Sequence, residues 1–471
     1  MTNDTKASQP SNSANLTSAA IRHVIHPLWA KLNHPTFASY LQEFERNQYL
    51  DPEDLRNLQM RRLRQQLIDA YRYIPFYRHR MTQAGLTPLD IHTHEDLRLL
   101  PVLTKRDIQD HQDLLISSNV PPNKRQQNQT GGSTGSPLQF FVDVERFDSR
   151  MASTVRHNSW AGLRIGDWYA HPWGSRLDVG DTPDPNPAWR QKFLHRNLSL
   201  HTAMVSEEAM MRFVEVLRKY RPRHMVAYAQ SAVVFAEFCN ANKIHDIAFD
   251  SMIVTAEVLL PGKREILEET FRGKVFNRYG CREVSVIASE CEYHSGMHVN
   301  ADALIVEVEP VPGLPAGMGR VLITDLLNRS MPLIRYEIGD LASLDTDMHC
   351  PCGRSLPLIG NIQGRTTDFL RLPSGRLIAG PALTLLVADM RDVRQVQFIQ
   401  ADPAHVTLKV VAGNGYSQRT EEELRRRMLP YLEQEISLAI VTADSIPSEP
   451  SGKYRFVKAI DTTEIPTAVG R

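Results

Sequence analysis

The sequence predicts an α/β protein with a large N-terminal α/β domain and a small α+β C-terminal domain. Between about residues 150 and 300, short apolar runs such as Met225–Ala229 and Met252–Thr255 alternate with helical segments, which is typical of a largely parallel sheet covered by helices. Beyond residue 368 the order changes to strand, strand, charged helix and strand. We therefore expect domains over residues 21–367 and 368–471, after a tail of residues 1–20.

Composition and charge exclude several classes of protein. The chain has 54 basic and 54 acidic side chains among 471 residues, so we expect no nucleic-acid partner held mainly through phosphates. The longest apolar run, around Ala382–Ala388, is far shorter than the ~18 residues of a membrane span. Five cysteines favour a reducing compartment over a disulfide scaffold. The polar residues 1–20 are predicted to be disordered rather than a targeting peptide, so we expect a cytoplasmic protein.

The first third of the chain is predicted to be helical and then to become a loop. Apolar residues recur at helical spacing through residues 18–85, with a break at Tyr73-Ile-Pro-Phe-Tyr77. Pro101-Val-Leu-Thr-Lys105 leads into a short helix. Asn119–Ser136 lacks periodicity and ends in Gly, Ser and Thr, which indicates a loop. A strand follows over Leu138–Val144.

The remaining elements follow from the same periodicities. Helices are predicted over Glu207–Tyr220, Ser231–Asn242, Lys263–Phe271 and Arg419–Gln434. Strands are predicted over Met225–Ala229, Met252–Thr255, Val275–Arg278, His298–Glu309, Gly319–Leu326, Met331–Ile334, Val396–Gln400, Val406–Val411 and Leu438–Val441.

A glycine-rich segment, Thr130-Gly-Gly-Ser-Thr-Gly135, is the most informative motif. Its glycines allow close approach of the backbone to a ligand, and its N–H groups and hydroxyls suit phosphate oxygens. It lacks the Gly-Lys-Ser/Thr of a Walker A loop and is not a dinucleotide fingerprint. A flexible hairpin turn is the alternative interpretation.

Four further motifs carry residue types that suit a nucleotide. Tyr279-Gly280, with Glu283 three residues beyond Gly280, would stack a purine and bind Mg²⁺, or would form a turn with a solvated carboxylate. Asp340, beside a glycine after a predicted strand, suits ribose hydroxyls or an ordinary Asx turn. In Gly364-Arg-Thr-Thr-Asp368 an arginine would reach a phosphate and Asp368 would mark a hinge. Lys453, in Pro450-Ser-Gly-Lys453, would supply a mobile positive charge or remain a solvated loop residue.

A cluster of soft metal ligands is also indicated. Cys350-Pro-Cys352 and Cys291, with either His294 or His298, provide three thiolates and one imidazole, as tetrahedral Zn²⁺ requires. Free thiols with surface histidines are the alternative. His298 begins a predicted strand and is the better fixed of the two histidines.

In this order the five nucleotide motifs resemble the core motifs of the adenylate-forming (acyl-CoA synthetase) superfamily. The phenylacetate–CoA ligase-like branch is the nearest likeness, because of Tyr73-Ile-Pro-Phe-Tyr-Arg78, Pro101–Lys105, the form of Thr130–Gly135, Met331-Pro-Leu-Ile-Arg-Tyr336 and Cys350-Pro-Cys-Gly-Arg354. The resemblance covers roughly residues 60–460.

The resemblance implies a role for each motif residue. ATP phosphates would be held by Thr130, Gly131, Gly132, Ser133, Thr134 and Gly135, and the adenosine by Ala256, Glu257, Asn277, Tyr279, Gly280 and Asp340. Glu283 would hold Mg²⁺, Arg365 would lie near ribose and phosphate, and Lys453 would catalyse adenylation. Some relatives carry the Cys/His set, so a structural zinc on Cys291, His298, Cys350 and Cys352 is implied. Cys281-Arg282 departs from the usual Thr or Ser before the glutamate, and Arg282 would alter the phosphate environment.

The implied function is ATP-dependent, AMP-forming activation of a carboxylic acid to an acyl-adenylate, followed by transfer to CoA. The small domain would rotate about a hinge near Asp368 between the two steps. An amine or a carrier-protein thiol is the alternative acceptor, and a non-catalytic scaffold is a third hypothesis. Trp173 or Tyr228 would stack on an aromatic acid, or Trp168 and Trp173 would be ordinary packing residues. His171 or Arg176 would pair with a polar or acidic substrate. A homodimer is expected at the family level only.

Overall fold

A computed structural model of the chain describes most of its residues, with gaps. The described residues are 12–130, 138–173, 194–202, 206–259, 262–311, 314, 317–343, 349–360, 362–365, 369–373, 377–379, 383, 386–387, 390, 392–413, 415–432, 436–447 and 455–458. Each helix within these segments is too short or too polar to span a bilayer.

The helices lie mainly in the first two thirds of the chain. In order, they are α1 (Asn12–Ala20), α2 (His26–Asn33), α3 (Phe37–Asn47), α4 (Pro52–Tyr73), α5 (Pro75–Gln83), α6 (Lys105–Asp110), α7 (Val144–Trp160), α8 (Glu207–Tyr220), α9 (Ala229–Ala241), α10 (Lys263–Phe271) and α11 (Gln418–Leu432). A π-helical turn, Ile21–Ile25, joins α1 to α2.

The strands group into separate sheets. They are β1 (Arg125–Gln129), β2 (Gln139–Asp143), β3 (Tyr169–Trp173), β4 (Asn197–His201), β5 (His224–Tyr228), β6 (Ser251–Thr255), β7 (Lys274–Cys281), β8 (Ser285–Glu290), β9 (Met297–Val299), β10 (Leu304–Pro310), β11 (Met318–Asp325), β12 (Tyr336–Ser343), β13 (Leu358–Ile359), β14 (Ile362–Arg365), β15 (Phe369–Arg371), β16 (Leu377–Ala379), β17 (Val393–Asp402), β18 (His405–Ala412), β19 (Ser437–Ala443) and β20 (Val457–Lys458).

The central sheet has a parallel half and an antiparallel half. In the described residues its order is β13-β9-β8-β7-β6-β5-β3-β4. Strands β4, β3, β5, β6 and β7 run parallel, while β8, β9 and β13 extend the sheet antiparallel. The α/β class predicted from the alternating pattern is therefore confirmed. The carboxyl ends of β3, β5 and β6 lie at one edge, where open α/β sheets bind ligands.

Helices α8, α9 and α10 pack on the parallel half of this sheet. Phe213, Phe235 and Phe271, one from each helix, are buried in a single cluster with Val254 of β6. The predicted helices Glu207–Tyr220 and α10 are confirmed residue for residue. Their apolar residues follow helical spacing because only one face of each helix is buried.

A second, antiparallel sheet has the order β10-β11-β12-β14 in the described chain. The segment that enters β12 is held by distant residues. The buried Tyr77 hydroxyl donates to the Pro332 carbonyl at 2.7 Å and accepts from the Ile334 N–H at 3.1 Å. The Leu103 N–H donates to the Arg335 carbonyl at 3.0 Å. The motifs at residues 73–78 and 101–105 therefore position the backbone that leads into β12.

The C-terminal unit has its own core. Strands β19, β18, β17 and β20 form one sheet, and α11 packs on it through Leu424 and Met428, which are buried with Phe398 and Leu408. The members of this cluster all lie between residues 370 and 457. The predicted strand–strand–helix–strand order is confirmed, whereas residues 366–368, where we place the domain boundary, lie outside the described residues.

Two predictions in the first third of the chain are wrong. Residues 12–20 of the predicted disordered tail form α1; alanines favour a helix, and the close contact of Ser18 with Gly166 shows that this helix packs on the domain. Residues 125–129 of the predicted loop form β1, which pairs with β2. Strand β1 reads Arg-Gln-Gln-Asn-Gln, so it has no apolar alternation by which sequence analysis detects a strand.

Two predicted strands are also wrong in part. His298–Glu309 is not continuous: β9 belongs to the central sheet, and β10 to the second sheet. The turn between them, Asn300-Ala-Asp-Ala303, is fully buried, and its polar–apolar alternation resembles the period of a strand. Met331–Ile334 is buried but irregular, because it is anchored by Tyr77 rather than by a strand ladder.

We expect Tyr77→Phe to destabilise the protein by about 1–3 kcal/mol, because the change leaves a buried carbonyl and a buried N–H without their hydrogen-bond partner. Chemical denaturation followed by circular dichroism measures this difference. Tyr49→Phe is the matched control, since Tyr49 is 58% exposed. Equal midpoints for the two variants would contradict the anchoring role of Tyr77.

Candidate active site and metal cluster

Strands β1 and β2 form a hairpin, and the segment of the chain that connects them contains the glycine-rich motif. Its base is closed at Thr130: the Thr130 N–H donates to the Leu138 carbonyl, and the Thr130 Oγ1 accepts from the Leu138 N–H, both at 2.9 Å. Gly131–Gly135 lie outside the described residues. Immediately after β2, the Asp143 carboxylate caps α7 by accepting from the Arg146 N–H at 2.8 Å.

Glu283 lies in the turn that connects β7 to β8. The β7–β8 ladder shifts register between Tyr279 and Gly280. A side chain at Gly280 would place its Cβ 2.6 Å from the Ser285 carbonyl oxygen, so the close approach of the two strands requires glycine there. The Tyr336 hydroxyl donates to Glu283 Oε1 at 3.1 Å and so fixes the carboxylate that is predicted to bind Mg²⁺.

Asp340 lies within β12, not at a strand end as predicted from the sequence. The preceding Gly339 has φ +83°, a conformation that favours glycine. The Tyr279 hydroxyl donates to Asp340 Oδ2 at 2.8 Å. In the register of the sheet, Asp340 is opposite Arg365 of β14, so the backbones of these two predicted nucleotide-binding residues are adjacent.

The two tyrosine–carboxylate bonds connect the same two segments in opposite directions. Tyr279 and Glu283 belong to the β7–β8 hairpin, and Tyr336 and Asp340 belong to β12. Each segment donates one hydroxyl hydrogen bond and accepts one. The bonded residues are 53 residues apart in one pair and 61 in the other. We call these two bonds the reciprocal tyrosine–carboxylate pair. They bring the predicted Mg²⁺ and ribose carboxylates into one site.

The adenine-lining residues predicted from the sequence follow β6. Ala256 has φ +70°, which turns the chain sharply at the carboxyl end of the strand. Glu257 Oε2 then accepts from the Gln230 N–H at 2.8 Å, near the start of α9. This bond ties the ends of β5 and β6 together. Asn277 lies within β7, and its N–H donates to Glu290 Oε2 at 2.9 Å.

An aromatic cluster occupies the ends of β3 and β5. The ring centroids of Trp173 and Tyr228 are 4.4 Å apart, and His171 stacks on Trp173 at 4.6 Å. Trp168, by contrast, packs on Tyr220 of α8 at 4.7 Å and is a core residue. Trp173 and Tyr228, both predicted to contact the acid, therefore pack together at the carboxyl ends of β3 and β5, where Tyr228 is only 5% exposed.

Two arginines lie at the Glu283 turn: Arg282, which is predicted to alter the phosphate environment, and Arg150, which no motif assigned. Arg282 Nε donates to Asn128 Oδ1 in β1 at 3.2 Å, and Arg150 Nη2 donates to the Arg282 carbonyl at 2.6 Å. Burial, and then the nearby charge of Arg146, lowers the pKa of Arg150 to about 10. Arg150 remains a cation at neutral pH, so it contributes positive potential beside the glycine-rich hairpin. Its position in the polar sequence of α7 gave no signal from which this role could be predicted.

Lys453, Asp368 and Arg176 lie outside the described residues, and Arg365 is described by its backbone alone.

The four predicted metal ligands come together. The ligand atoms of Cys291, His298, Cys350 and Cys352 all lie within 4.8 Å of one another. Cys291 Sγ is 3.4 Å from Cys350 Sγ, and Cys352 Sγ is 3.3 Å from His298 Nε2. Three sulfurs and one imidazole suit tetrahedral Zn²⁺ and not Mg²⁺.

The surroundings of the cluster also suit a metal site. His298 Nδ1 lies 3.3 Å from the Leu356 carbonyl, which leaves Nε2 free to face the thiols. Burial lowers the pKa of His298 and so favours the neutral imidazole that metal binding requires. His294, the alternative ligand, instead lies 3.0 Å from Glu290 Oε2.

Residues from the ends of α3 and α7 contact the Cys/His cluster or the segment beside it. Gln48 Oε1 accepts from Trp160 Nε1 at 3.0 Å and from Arg354 Nε at 3.2 Å, and the Trp160 ring lies 5.7 Å from that of His298. The segment after Cys352 is therefore joined to both α3 and α7.

Comparison with known proteins agrees with this geometry. Residues 370–459 match the family model of the CapK C-terminal domain. The chain is 28% identical over 332 residues to phenylacetate-coenzyme A ligase of Thermus thermophilus, covering 68% of this chain and 72% of that protein. It is 24% identical over 442 residues to Protein CapK of Staphylococcus aureus, covering 88% and 91% respectively.

The chain is therefore similar to the phenylacetate–CoA ligase-like branch of the adenylate-forming proteins, as its motifs predict. A solved structure of 2-hydroxyisobutyryl-CoA ligase in the postadenylation state superposes with a TM-score of 0.72 at 21% identity, covering 88% of this chain and 92% of that chain. This likeness confirms the predicted fold of the family, a large α/β domain followed by a small C-terminal domain.

We expect purified protein to contain about one zinc per chain and His298→Asn to lose most of it, because the variant removes one of four ligands. His294→Asn is the matched control and should retain the metal. Elemental analysis measures the zinc content of each variant, and a melting curve verifies that each variant folds. Equal zinc contents in the two variants would contradict the assignment of His298.

Proposed function

We propose that this protein is an ATP-dependent, AMP-forming ligase that activates a carboxylic acid and transfers the acyl group to CoA. The observation that carries the proposal is the reciprocal tyrosine–carboxylate pair, because it fixes Glu283 and Asp340 in one site beside the glycine-rich hairpin. The relatives named phenylacetate-coenzyme A ligase support the same activity.

The reaction requires two steps because a free carboxylate has no good leaving group. In the first step, a carboxylate oxygen of the acid attacks the α-phosphorus of ATP, and the bond to pyrophosphate breaks. The product is an acyl-adenylate, from which AMP can leave. In the second step, the CoA sulfur attacks the acyl carbonyl carbon, its proton is lost, and AMP departs.

In this proposal Asp340 binds the ribose hydroxyls, and Tyr279 orients both that carboxylate and its own ring toward the adenosine. The backbone and hydroxyls of Thr130–Gly135 bind the phosphates, with Arg150 and Arg282 adding positive charge at the base of the hairpin. Glu283, oriented by Tyr336, would hold Mg²⁺, which neutralises phosphate charge when bound. Lys453 stabilises the charge that develops as the acid approaches the α-phosphate; this role and that of Arg365 rest on their motifs.

The acid is proposed to carry an aromatic or other planar group. Trp173, Tyr228 and His171 form an aromatic cluster at the ends of β3 and β5, and aromatic rings favour stacking with a flat ligand. Cys291, His298, Cys350 and Cys352 would hold a structural zinc, because four protein ligands leave no open position for catalysis.

The test is acid-dependent exchange of labelled pyrophosphate into ATP, screened over aromatic and aliphatic acids and then repeated with CoA, amines and a carrier protein as acceptors. If pyrophosphate exchange occurs and an amide or a loaded carrier protein forms but no thioester of CoA does, the acceptor is the amine or the carrier protein rather than CoA. Absence of exchange with every acid would contradict the proposal in favour of a scaffold.

Lys453→Ala should reduce exchange by at least about a hundredfold, because it removes the cation that acts on the developing charge, while ATP still binds in a direct titration. Lys458→Ala, in β20 of the same unit, is the matched control and should keep normal exchange. If Lys453→Ala exchanged pyrophosphate as fast as the control, Lys453 would not be the catalytic cation.

Tyr336→Phe and Tyr279→Phe should separate the roles of the two bonds. Tyr336→Phe removes the hydroxyl that donates to Glu283, so it should raise the Mg²⁺ concentration for half-maximal exchange by about three- to tenfold. Tyr279→Phe removes the hydroxyl that donates to Asp340, so it should raise the KM for ATP by a similar factor. Exchange kinetics over a matrix of Mg²⁺ and ATP concentrations measure both. Identical effects of the two variants would contradict the separate assignments.

A further inference from the structure

The N-terminal helices expose a continuous line of apolar side chains. Leu16, Val24, Leu28 and Leu32 are 70%, 55%, 60% and 84% exposed, and Ala20 is exposed as well. Every fourth residue from 16 to 32 thus contributes an apolar side chain to the surface. We call these five residues the N-terminal apolar stripe. Patches of this kind mark interaction sites more often than scattered single residues do.

The π-helical turn keeps the stripe on one side of the helix. On a regular α-helix, residues four apart drift around the axis by about 40° at each step. Between Ile21 and Ile25 the turn is wider, and the His26 N–H bonds to the Ile21 carbonyl five residues back. The wider turn opposes the drift, so the residues before and after it face the same side.

The opposite side of these helices is fixed to the domain. Ile21 is fully buried and Ala30 nearly so. Arg22 donates to the Ile165 carbonyl at 2.9 Å and to Asp167 Oδ1 at 2.8 Å. A Cβ on Gly166 would approach the Ser18 carbonyl oxygen to 2.6 Å, so the helix and the 164–167 turn are in close contact. The stripe is therefore held outward by packing.

The exposed charged side chains on these helices are basic. The sequence contains no Asp or Glu from residue 5 to residue 42. Lys31 and His23 are exposed on the same helices, and Arg164 is exposed in the adjoining turn. Arg22 forms a salt bridge with Asp167, which neutralises its charge. An apolar line with basic neighbours and no acidic ones on its helix is the composition of a helix that lies at a membrane interface.

We propose that the N-terminal apolar stripe binds the surface of a membrane that contains anionic lipids. Its leucines and valine would enter the boundary between headgroups and acyl chains, and Lys31 and Arg164 would contact lipid phosphates. A second copy of the chain fits less well. Five side chains provide much less than the ~800 Å² per partner of a stable interface, and pairing two such helices brings cations together without an acidic partner.

The test is co-sedimentation of the full chain with vesicles of phosphatidylcholine alone and of phosphatidylcholine with one third phosphatidylglycerol. The protein should bind the anionic vesicles and leave the neutral ones largely in solution. The double variant Leu28→Ser, Leu32→Ser should lower the partition coefficient at least about tenfold, because both side chains are exposed in the free protein and their loss removes apolar area from the bound state. Lys31→Glu should weaken binding and reduce its dependence on phosphatidylglycerol.

Leu89→Ser, Leu99→Ser is the matched control, since these leucines are 75% and 54% exposed away from the stripe and their replacement should leave binding unchanged. Melting curves verify that both double variants fold. No binding to anionic vesicles, or equal loss in both double variants, would overturn the proposal. Sedimentation equilibrium that shows a dimer broken by Leu28→Ser, Leu32→Ser would overturn it in favour of self-association.

Discussion

Two carboxylates in this protein are each held by a tyrosine from the other's segment, and the arrangement of the candidate active site depends on that exchange. Glu283 and Asp340 lie in different segments of the chain. Each is oriented by a hydroxyl from a strand of the other sheet: Tyr336 from the second sheet and Tyr279 from the central sheet. An acidic group fixed in this way meets a ligand with little loss of side-chain freedom, which is what preorganisation means in physical terms.

The exchange in turn depends on backbone that is fixed elsewhere. The β7–β8 hairpin can bring Tyr279 and Glu283 into position because Gly280 allows the two strands to approach. Strand β12 begins at Tyr336 because Tyr77 and Leu103 hold the irregular segment before it. At the other end of β8, the Cys/His cluster joins the chain after Cys291 to residues 350–352. The predicted zinc and nucleotide sites therefore lie at the two ends of one antiparallel strand.

Sequence analysis predicted helices whose buried face is apolar. It missed polar elements, and it also missed β4, in which Leu198 and Leu200 are buried. Helices α8 and α10 were predicted to the residue, because their apolar side chains alone are buried. No element was assigned to α7, whose fully buried positions include Arg146, Asp148 and Arg156. Strand β1 was missed because it is polar on both faces. Residues 300–303 were predicted to be strand because Asn300-Ala-Asp-Ala303 alternates polar and apolar residues as a strand does. Apolar residues in a sequence indicate which positions are buried. Their spacing indicates a helix or a strand only where one face of the element is buried.

The motifs themselves were found from sequence, whereas their pairing was not. Spacing identified Tyr279, Glu283, Tyr336 and Asp340, but which hydroxyl meets which carboxylate depends on contacts 53 to 61 residues apart. The same holds for Arg150, which is brought to the Glu283 turn by the packing of α7. For the metal cluster the choice between His294 and His298 came from an expected strand at residue 298, and the structure places His298 in β9 beside the cysteines and pairs His294 with Glu290.

The closed interior of residues 370–457 has an evolutionary consequence. A unit that buries its own Phe398, Leu408 and Leu424 does not need the rest of the chain to complete its core, so it can diverge or be exchanged as one module while the nucleotide-binding architecture is kept. Lys453 lies in the same part of the sequence, so an exchange of this unit would carry the proposed adenylation lysine with it.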